Sequence, residues 1–190
     1  MVIGITGGIG SGKSTLSKLI HRQGYPVYDT DKEARRLQDE DATLVQQIKS
    51  LFGENIYADG KLNRPAVAAL VFNNTELLQK LTALVHPAVK QDFIKWKGNY
   101  NSEELIFIEG AVLFEGKFDL LTDKIILVTA SEDIRIQRVM HRDGISREQV
   151  LSRIQNQIPD TEKALKSDLV INTDRGLPDD IMQSIVVWQH

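Results

Sequence analysis

Gly7-Gly8-Ile9-Gly10-Ser11-Gly12-Lys13-Ser14 fits the pattern G-x-x-x-x-G-K-[ST] at every fixed position. The residues before it, Val2-Ile3-Gly4-Ile5-Thr6, read as a short buried strand. The residues after it, Thr15-Leu16-Ser17-Lys18-Leu19-Ile20, open an amphipathic helix. Strand, glycine loop and helix in that order are what phosphate binding requires. Glycines let the backbone curl with its N–H groups pointing inward around an anion. The helix that follows adds the partial positive charge of its N-terminus. Lys13 then reaches the β- and γ-phosphates, and the Ser14 hydroxyl ligates Mg²⁺. The stretch predicts a nucleotide site formed by Gly8, Ile9, Gly10, Ser11, Gly12, Lys13, Ser14 and Thr15.

Outward from the loop, strands and helices alternate. Pro26-Val27-Tyr28 is a short strand ending at Asp29-Thr30-Asp31. Lys32 to Glu40 reads as a helix, as does Thr43 to Phe52, where Leu44, Ile48, Leu51 and Phe52 share one face and Gly53 stops the run. Ala58-Asp59-Gly60 is a turn signal. Arg64-Pro65 opens a helix to about Phe72, Thr75 caps one to about Val85, and Pro87 starts a further one to about Trp96. Residues 41–100 therefore read as an all-helical block. Beyond it come strands at Leu105–Ile108, Lys124–Thr129 and Asp168–Ile171. Ser131 caps a helix to about Arg142, Ser146 opens the next with Glu148 and Gln149 behind it, and Pro178 begins a closing helix. This alternation predicts an α/β fold of the P-loop NTPase type. Its sheet is parallel with helices on both faces, and the helical block is inserted between the second and third strands.

Composition narrows the function. The 190 residues suit a single domain with an inserted subdomain. A net charge of −3 argues against a general nucleic-acid binder. The absence of cysteine excludes disulfides and thiolate metal sites. The phosphate loop begins at residue 7, which leaves no room for a signal peptide, and no apolar run approaches a membrane span. A cytoplasmic protein acting on small molecules is expected, with neither membrane nor nucleic acid as partner.

Several side chains are candidates for chemistry. Asp29 and Asp31 stand two apart at the carboxyl end of the second strand, the edge at which α/β sheets bind ligands. A carboxylate there serves as the base for an attacking hydroxyl or holds Mg²⁺-bound water; helix capping is the alternative. Lys32, Arg35 and Arg36 follow at helical spacing and suit either an anionic acceptor or a solvated face with Glu33, Asp39 and Glu40. Arg135, Arg138 and Arg142 form one stripe on one helix, with Arg147 and Arg153 in the next segment. That pattern suits a lid whose arginines neutralise a transferring phosphoryl group, or surface pairing with Glu132 and Asp143. Glu109 ends an apolar strand and is either a magnesium partner or a strand-end polar residue. His86 precedes Pro87 at an expected helix start, where capping or packing is the usual role. Trp96 and Trp188 read as packing or interface residues.

A series of blocks along nearly the whole chain resembles the dephospho-coenzyme A kinase family. Gly4 to Ser14 is similar to its phosphate loop, and Asp29-Thr30-Asp31 with Ala34-Arg35 to its Asp-x-Asp-x-x-Ala-Arg segment. Asp59 to Arg64 with Val71-Phe72, and Leu81 with Leu84-Val85-His86-Pro87, resemble the next two blocks. Leu113-Phe114-Glu115, Arg138, Arg142-Asp143, Gln157, and Ser167-Asp168 with Val170-Ile171-Asn172 resemble the rest. The chain departs from the family in lacking Pro before Leu113, which leaves the roles of Glu109 and Glu115 open.

The resemblance implies ATP-dependent phosphorylation of the ribose 3′-hydroxyl of dephospho-CoA, with ATP and Mg²⁺ as cofactors. It implies a core of about 1–35, 103–137 and 165–190, a helical CoA-binding insertion at about 41–100 and a lid at about 138–160. Asp31 takes the position of the catalytic base, assisted by Lys13 and Arg142; Arg35 and His86 take acceptor-site positions; Arg138 and Asn172 lie on the ATP side. A nucleoside monophosphate kinase and a non-catalytic nucleotide switch are the alternatives. The switch needs neither Asp31 and Arg35 nor the helical insertion.

Overall fold

The computed structural model describes residues 1–72, 74–101 and 104–189. In chain order the strands are β1 (Val2–Thr6), β2 (Val27–Asp29), β3 (Tyr57–Ala58), β4 (Lys61–Leu62), β5 (Ile106–Glu109), β6 (Lys124–Thr129) and β7 (Leu169–Asn172). The helices are α1 (Lys13–Arg22), α2 (Thr30–Glu40), α3 (Ala42–Phe52), α4 (Arg64–Val71), α5 (Thr75–Lys97), α6 (Glu132–Asp143), α7 (Arg147–Gln155), α8 (Asp160–Ala164) and α9 (Ile181–Val186). The chain divides into two compact units, Met1–Asp29 with Asn101–His190, and Thr30–Tyr100.

The first unit is built on a five-stranded sheet in the order β2-β5-β1-β6-β7, with every neighbouring pair parallel. All five residues of β1 are buried, as a strand covered on both faces requires. One face carries Ile3, Ile5, Phe107, Ile126, Val128 and Ile171, sealed by Leu16 and Ile20 of α1 and by Ile181 and Ile185 of α9. Trp188 packs at the margin of this cluster. On the opposite face the bare backbone of Gly4 lies against Leu113 and Thr122, from the segment that follows β5. Ile5 and Asp29 both pair with Glu109, and Thr129 pairs with Asn172, so the carboxyl ends of the strands share one edge. From that edge β1 runs into the glycine loop. Two elements differ from the sequence expectation here. The closing helix starts at Ile181 rather than Pro178, and the short α8 stands where none was expected.

The helical unit begins at Thr30, so α2 and Arg35 belong to it. Its helices start on side-chain caps. Asp41 accepts from Leu44 N–H at 2.8 Å, Asn63 from Ala66 N–H at 3.1 Å and Asn74 from Leu77 N–H at 2.9 Å. Asn74 is thus the cap of α5, one residue before the expected Thr75. The block is not all-helical. The Asp59-Gly60 turn, with φ of 50° and 75°, joins β3 and β4 into a minimal antiparallel hairpin.

The hairpin is bound to α2. Tyr57 Oη donates to the Gln38 carbonyl at 2.7 Å, Leu62 N–H donates to Asp39 at 3.0 Å, and Arg64 bridges Asp39 and the Arg35 carbonyl, each at 2.8 Å. Burial, seconded by the Asp39 charge, pushes the Tyr57 hydroxyl up to about 12. Burial works against ionisation of Asp39. The Leu62 N–H and Arg64 outweigh it and hold the carboxyl below its ordinary value.

Pro87 does not start a helix. It sits inside α5, a continuous helix of 23 residues. Pro87 has no N–H to give and crowds the carbonyl four residues back. Packing offsets that cost, because Val85, Val89 and Phe93 are buried at four-residue spacing on both sides of it. Trp96 stacks on Phe93, with ring centroids 5.9 Å apart, and contacts Tyr100 at 4.8 Å, so it is a packing residue.

Candidate active site

The glycine loop leaves β1 at Gly7 and re-enters regular structure at Lys13, the first residue of α1. Gly12 stands at the N-cap and supplies no side-chain cap, while its carbonyl accepts from Thr15 N–H at 3.0 Å and Leu16 N–H at 3.2 Å. Two of its glycines are dictated by Arg135. A Cβ on Gly8 would lie 2.1 Å from the Arg135 guanidinium, and one on Gly10, at φ 80°, would lie 2.5 Å from the Arg135 carbonyl.

Gly10, Ser11, Gly12, Lys13, Ser14 and Thr15 line a pocket of about 180 Å³ together with Arg138, Val139 and Arg142 of α6. A second pocket of about 180 Å³ adjoins it, bounded by Gly12, Thr15, Arg138, Thr173, Gly176 and Leu177. The first holds most of the residues expected to bind a nucleotide. Gly8 and Ile9 are absent from its lining; they face the underside of α6 and the chain after α7.

Ser14 Oγ donates to Glu109 Oε1 at 2.9 Å. Glu109 is 6% exposed and lies in register with Asp29. A hydroxyl and a carboxylate at the head of α1 are hard oxygen donors, the chemistry that suits Mg²⁺.

The three arginines of α6 differ sharply. Arg135 does not join a lid face. Its side chain is 9% exposed, its Nε donates to the Ile9 carbonyl at 3.0 Å, and its Nη1 meets Asp160 at 3.2 Å. One turn on, Arg138 donates to Thr173 Oγ1 at 2.9 Å, to the Thr173 carbonyl at 2.6 Å and to the Gly10 carbonyl at 3.3 Å. Arg142, 61% exposed, reaches the pocket rim with its guanidinium on Asp143 at 2.6 and 3.0 Å. That bond lowers the Asp143 carboxyl and raises the Arg142 guanidinium from their ordinary values. Arg153 shares Asp143 at 3.2 Å, and Arg147 pairs with Asp133 at 3.1 Å on the surface. Ser146 and Gln149 form the capping box that opens α7, whereas Ser131 occupies the N-cap position of α6 without capping it through its side chain.

Asn172 ends β7 and folds its side chain into a local turn, accepting from Asp174 N–H at 2.8 Å. Asp174 in turn accepts from Ser131 N–H at 2.7 Å, and that bond holds its carboxyl below the ordinary value. Thr173, not Asn172, faces the second pocket.

The acceptor-site candidates lie in the helical unit. Asp31 is not on a strand, since β2 stops at Asp29; it is an exposed residue in the first turn of α2, with Arg35 one turn later. His86 is partly buried in the interior of α5 and is not at a helix start. Arg36 is taken up structurally, bonding Glu33 and, at 2.8 Å, Asp92 of α5, and these bonds, Glu33 foremost, raise its guanidinium above the ordinary range.

Sequence reasoning missed Thr173 and Asp160. Thr173 Oγ1 donates to the Ser11 carbonyl at 2.6 Å, and Asp160 accepts from Thr129 Oγ1 at 2.7 Å. Neither carries a local signal, because each acts on a partner far along the chain. Glu115 accepts from Ile158 N–H at 3.1 Å and pairs at 3.4 Å with the fully buried Lys163, which makes it a strut.

The chain is similar to known proteins in sequence and in fold. The family model for dephospho-CoA kinase matches residues 1–179. A dephospho-CoA kinase of Porphyromonas gingivalis is 42% identical over 157 residues, covering 83% of this chain and 77% of its own. The crystal structure of a Thermus thermophilus protein superposes with a TM-score of 0.85 at 35% identity, covering 99% of this chain and 97% of that one. The dephospho-CoA kinase from Campylobacter jejuni superposes with a TM-score of 0.70 at 27% identity, covering 99% and 95%.

Proposed function

The chain belongs to the dephospho-CoA kinase family, and on that premise we propose how its residues divide the work. The reaction is ATP-dependent phosphorylation of the ribose 3′-hydroxyl of dephospho-CoA, the last step of coenzyme A synthesis. The observation that carries the assignment of roles is the pocket in which Lys13, Ser14 and Thr15 meet Arg138 and Arg142.

In this reading the loop N–H groups and the head of α1 take the phosphates of ATP. Lys13 neutralises charge on the γ-phosphate, and Arg142 turns from Asp143 to the transferring group. Arg138, braced on Thr173, walls the side of the pocket toward Gly176 and Leu177, where the base of ATP lies near the turn after Asn172. Ser14 and Glu109 would hold Mg²⁺, which when bound offsets phosphate charge. Asp31 accepts the proton of the ribose hydroxyl as it attacks in line, without a covalent intermediate. Arg35 and His86 position dephospho-CoA on the helical unit. The helix pair α6–α7 acts as the lid, which excludes water that would otherwise hydrolyse ATP. Both substrates are small molecules. A cytoplasmic location and the lack of a nucleic-acid partner belong to the same proposal, and no helix among the described residues is long and apolar enough to cross a membrane.

The test is ADP release from the purified chain with Mg-ATP, with and without dephospho-CoA, and a mass measurement of the product. Acceptor-dependent ADP release with a product heavier by one phosphoryl group is expected. Turnover confined to a nucleoside monophosphate, or nucleotide binding with no turnover, would overturn the reading.

A further inference from the structure

We propose that Arg135, Gln157 and Asp160 are positioning residues that grip the phosphate loop at Ile9 and hold it in the shape that accepts a nucleotide. The proposal rests on the phosphate-loop reading above and extends it to residues that touch no substrate.

Ile9 is held from every side. Its N–H donates to Gln157 Oε1 at 2.9 Å, and its carbonyl accepts from Arg135 Nε at 3.0 Å. Its side chain packs against the apolar cluster of Ile136, Val139 and Val150, the fully buried contact between α6 and α7. An ordinary binding loop leaves such groups to solvent or ligand. Here the middle of the loop is pinned into the base of the helix pair that bears Arg138 and Arg142.

The grip is anchored in turn. Arg135 Nη1 meets Asp160 at 3.2 Å, and Asp160 accepts from Thr129 Oγ1 at 2.7 Å, at the carboxyl end of β6. A guanidinium spans the Ile9 carbonyl and the Asp160 carboxylate at once; a lysine ammonium on the same stem does not reproduce that fork. Between Gln157 and Asp160, Ile158 N–H is held by Glu115 at 3.1 Å. The connector from α7 to α8 is therefore tied to the loop, to the sheet edge and to the segment after β5. Gly8 and Gly10 fit the same arrangement, since a Cβ on either would strike Arg135. Loop shape and lid base are one mechanical element, and loosening it lowers the fraction of molecules ready to bind.

The experiment is calorimetric titration of ADP into the full chain, wild type against Gln157→Met and Arg135→Lys. Steady-state kinetics and thermal unfolding are measured on the same samples. Gln157→Met removes the acceptor at nearly constant volume. It is expected to weaken ADP about fivefold and to raise KM for ATP by a like factor, with KM for dephospho-CoA moved less than about twofold. Arg135→Lys is expected to do at least as much. Unchanged ADP affinity with only a lowered Tm would overturn the proposal, because a purely structural tie behaves that way. Should Arg135→Lys not fold, Gln157→Met, at a half-buried site, decides alone. A wild-type chain that binds no ADP would remove the phosphate-loop reading and this proposal with it.

Discussion

The two ends of α6 put the same side chain to opposite uses. At its start Arg135 is 9% exposed, closed on Asp160 and on the Ile9 carbonyl. Two turns later Arg142 is 61% exposed and rests on Asp143 at the mouth of the pocket. A guanidinium whose donors are spent on fixed partners in a dry site holds structure. One paired only with an exposed neighbour exchanges that partner at little cost. The contrast extends to the ground around each arginine. The stem, with Gln157, Asp160, Glu115 and Lys163, is a network of groups paired with one another and with the backbone. The rim, with Lys13, Ser14 and Arg142, faces open volume. Stem residues should therefore register in stability and loop shape, and rim residues in turnover.

Substitutions break or sharpen that contrast. The largest effect is expected from Lys13→Ala, which should cut phosphoryl transfer about 10³-fold or more while leaving Tm nearly unchanged. Near-normal turnover would remove Lys13 from the rim. Asp31→Asn should lower kcat by about 10²- to 10⁴-fold with ATP affinity retained; weakened ATP binding at normal kcat would refute its role as base. On the stem side, Glu115→Ala strands the buried Lys163 charge. It should cost about 3 kcal/mol, a fall in Tm on the order of 10 °C, with kcat little altered. A wild-type melting curve would show that the pair holds nothing.

Arg142→Ala should slow transfer about tenfold without lowering Tm, the reverse of the Glu115 pattern. An unchanged rate would return it to the surface. The smallest effect concerns Asp39, in the helical unit. Its carboxyl lies below the ordinary 3.8 when folded, so it contributes stability that is fully present above that value and lost as pH falls through the lower, folded pKa. Tm measured at pH 7 and again in acid below 3.8 should fall further for wild type than for Asp39→Asn; equal falls would contradict the direction of the shift.

Much of the architecture was legible because its signals are local. A glycine run between an apolar strand and a helix start is visible in a dozen residues, and β6 falls on Lys124–Thr129 as its apolar run predicts. The failures share a cause. Pro87 ordinarily argues for a helix boundary, yet α5 passes through it because Val85, Val89 and Phe93 keep one face buried. The hairpin of β3 and β4 has only two residues per strand, too few for an alternating pattern to register. It exists because Tyr57, Leu62 and Arg64 bond to α2. For Asp31, which could have ended the strand or opened the helix, the structure gives the second: β2 stops at Asp29 and α2 starts at Thr30.

By itself the sequence determined the phosphate loop, the order along the chain of the five strands of the parallel sheet and membership of a kinase family, since each is written in contiguous residues or in an ordered series of short blocks. Tertiary structure decided which partners each of several chemically equivalent side chains meets. Glu109 could have been an idle strand end until the fold set its carboxylate on Ser14, 95 positions away in the chain. Arg135, Arg138 and Arg142 were one stripe by spacing, and only the approach of Ile9, Thr173 and Asp160 separated a brace from a wall and a rim. Periodicity states which face of a helix a residue occupies. Burial and hydrogen-bond partners depend on what folds against that face, and no window of local sequence contains it.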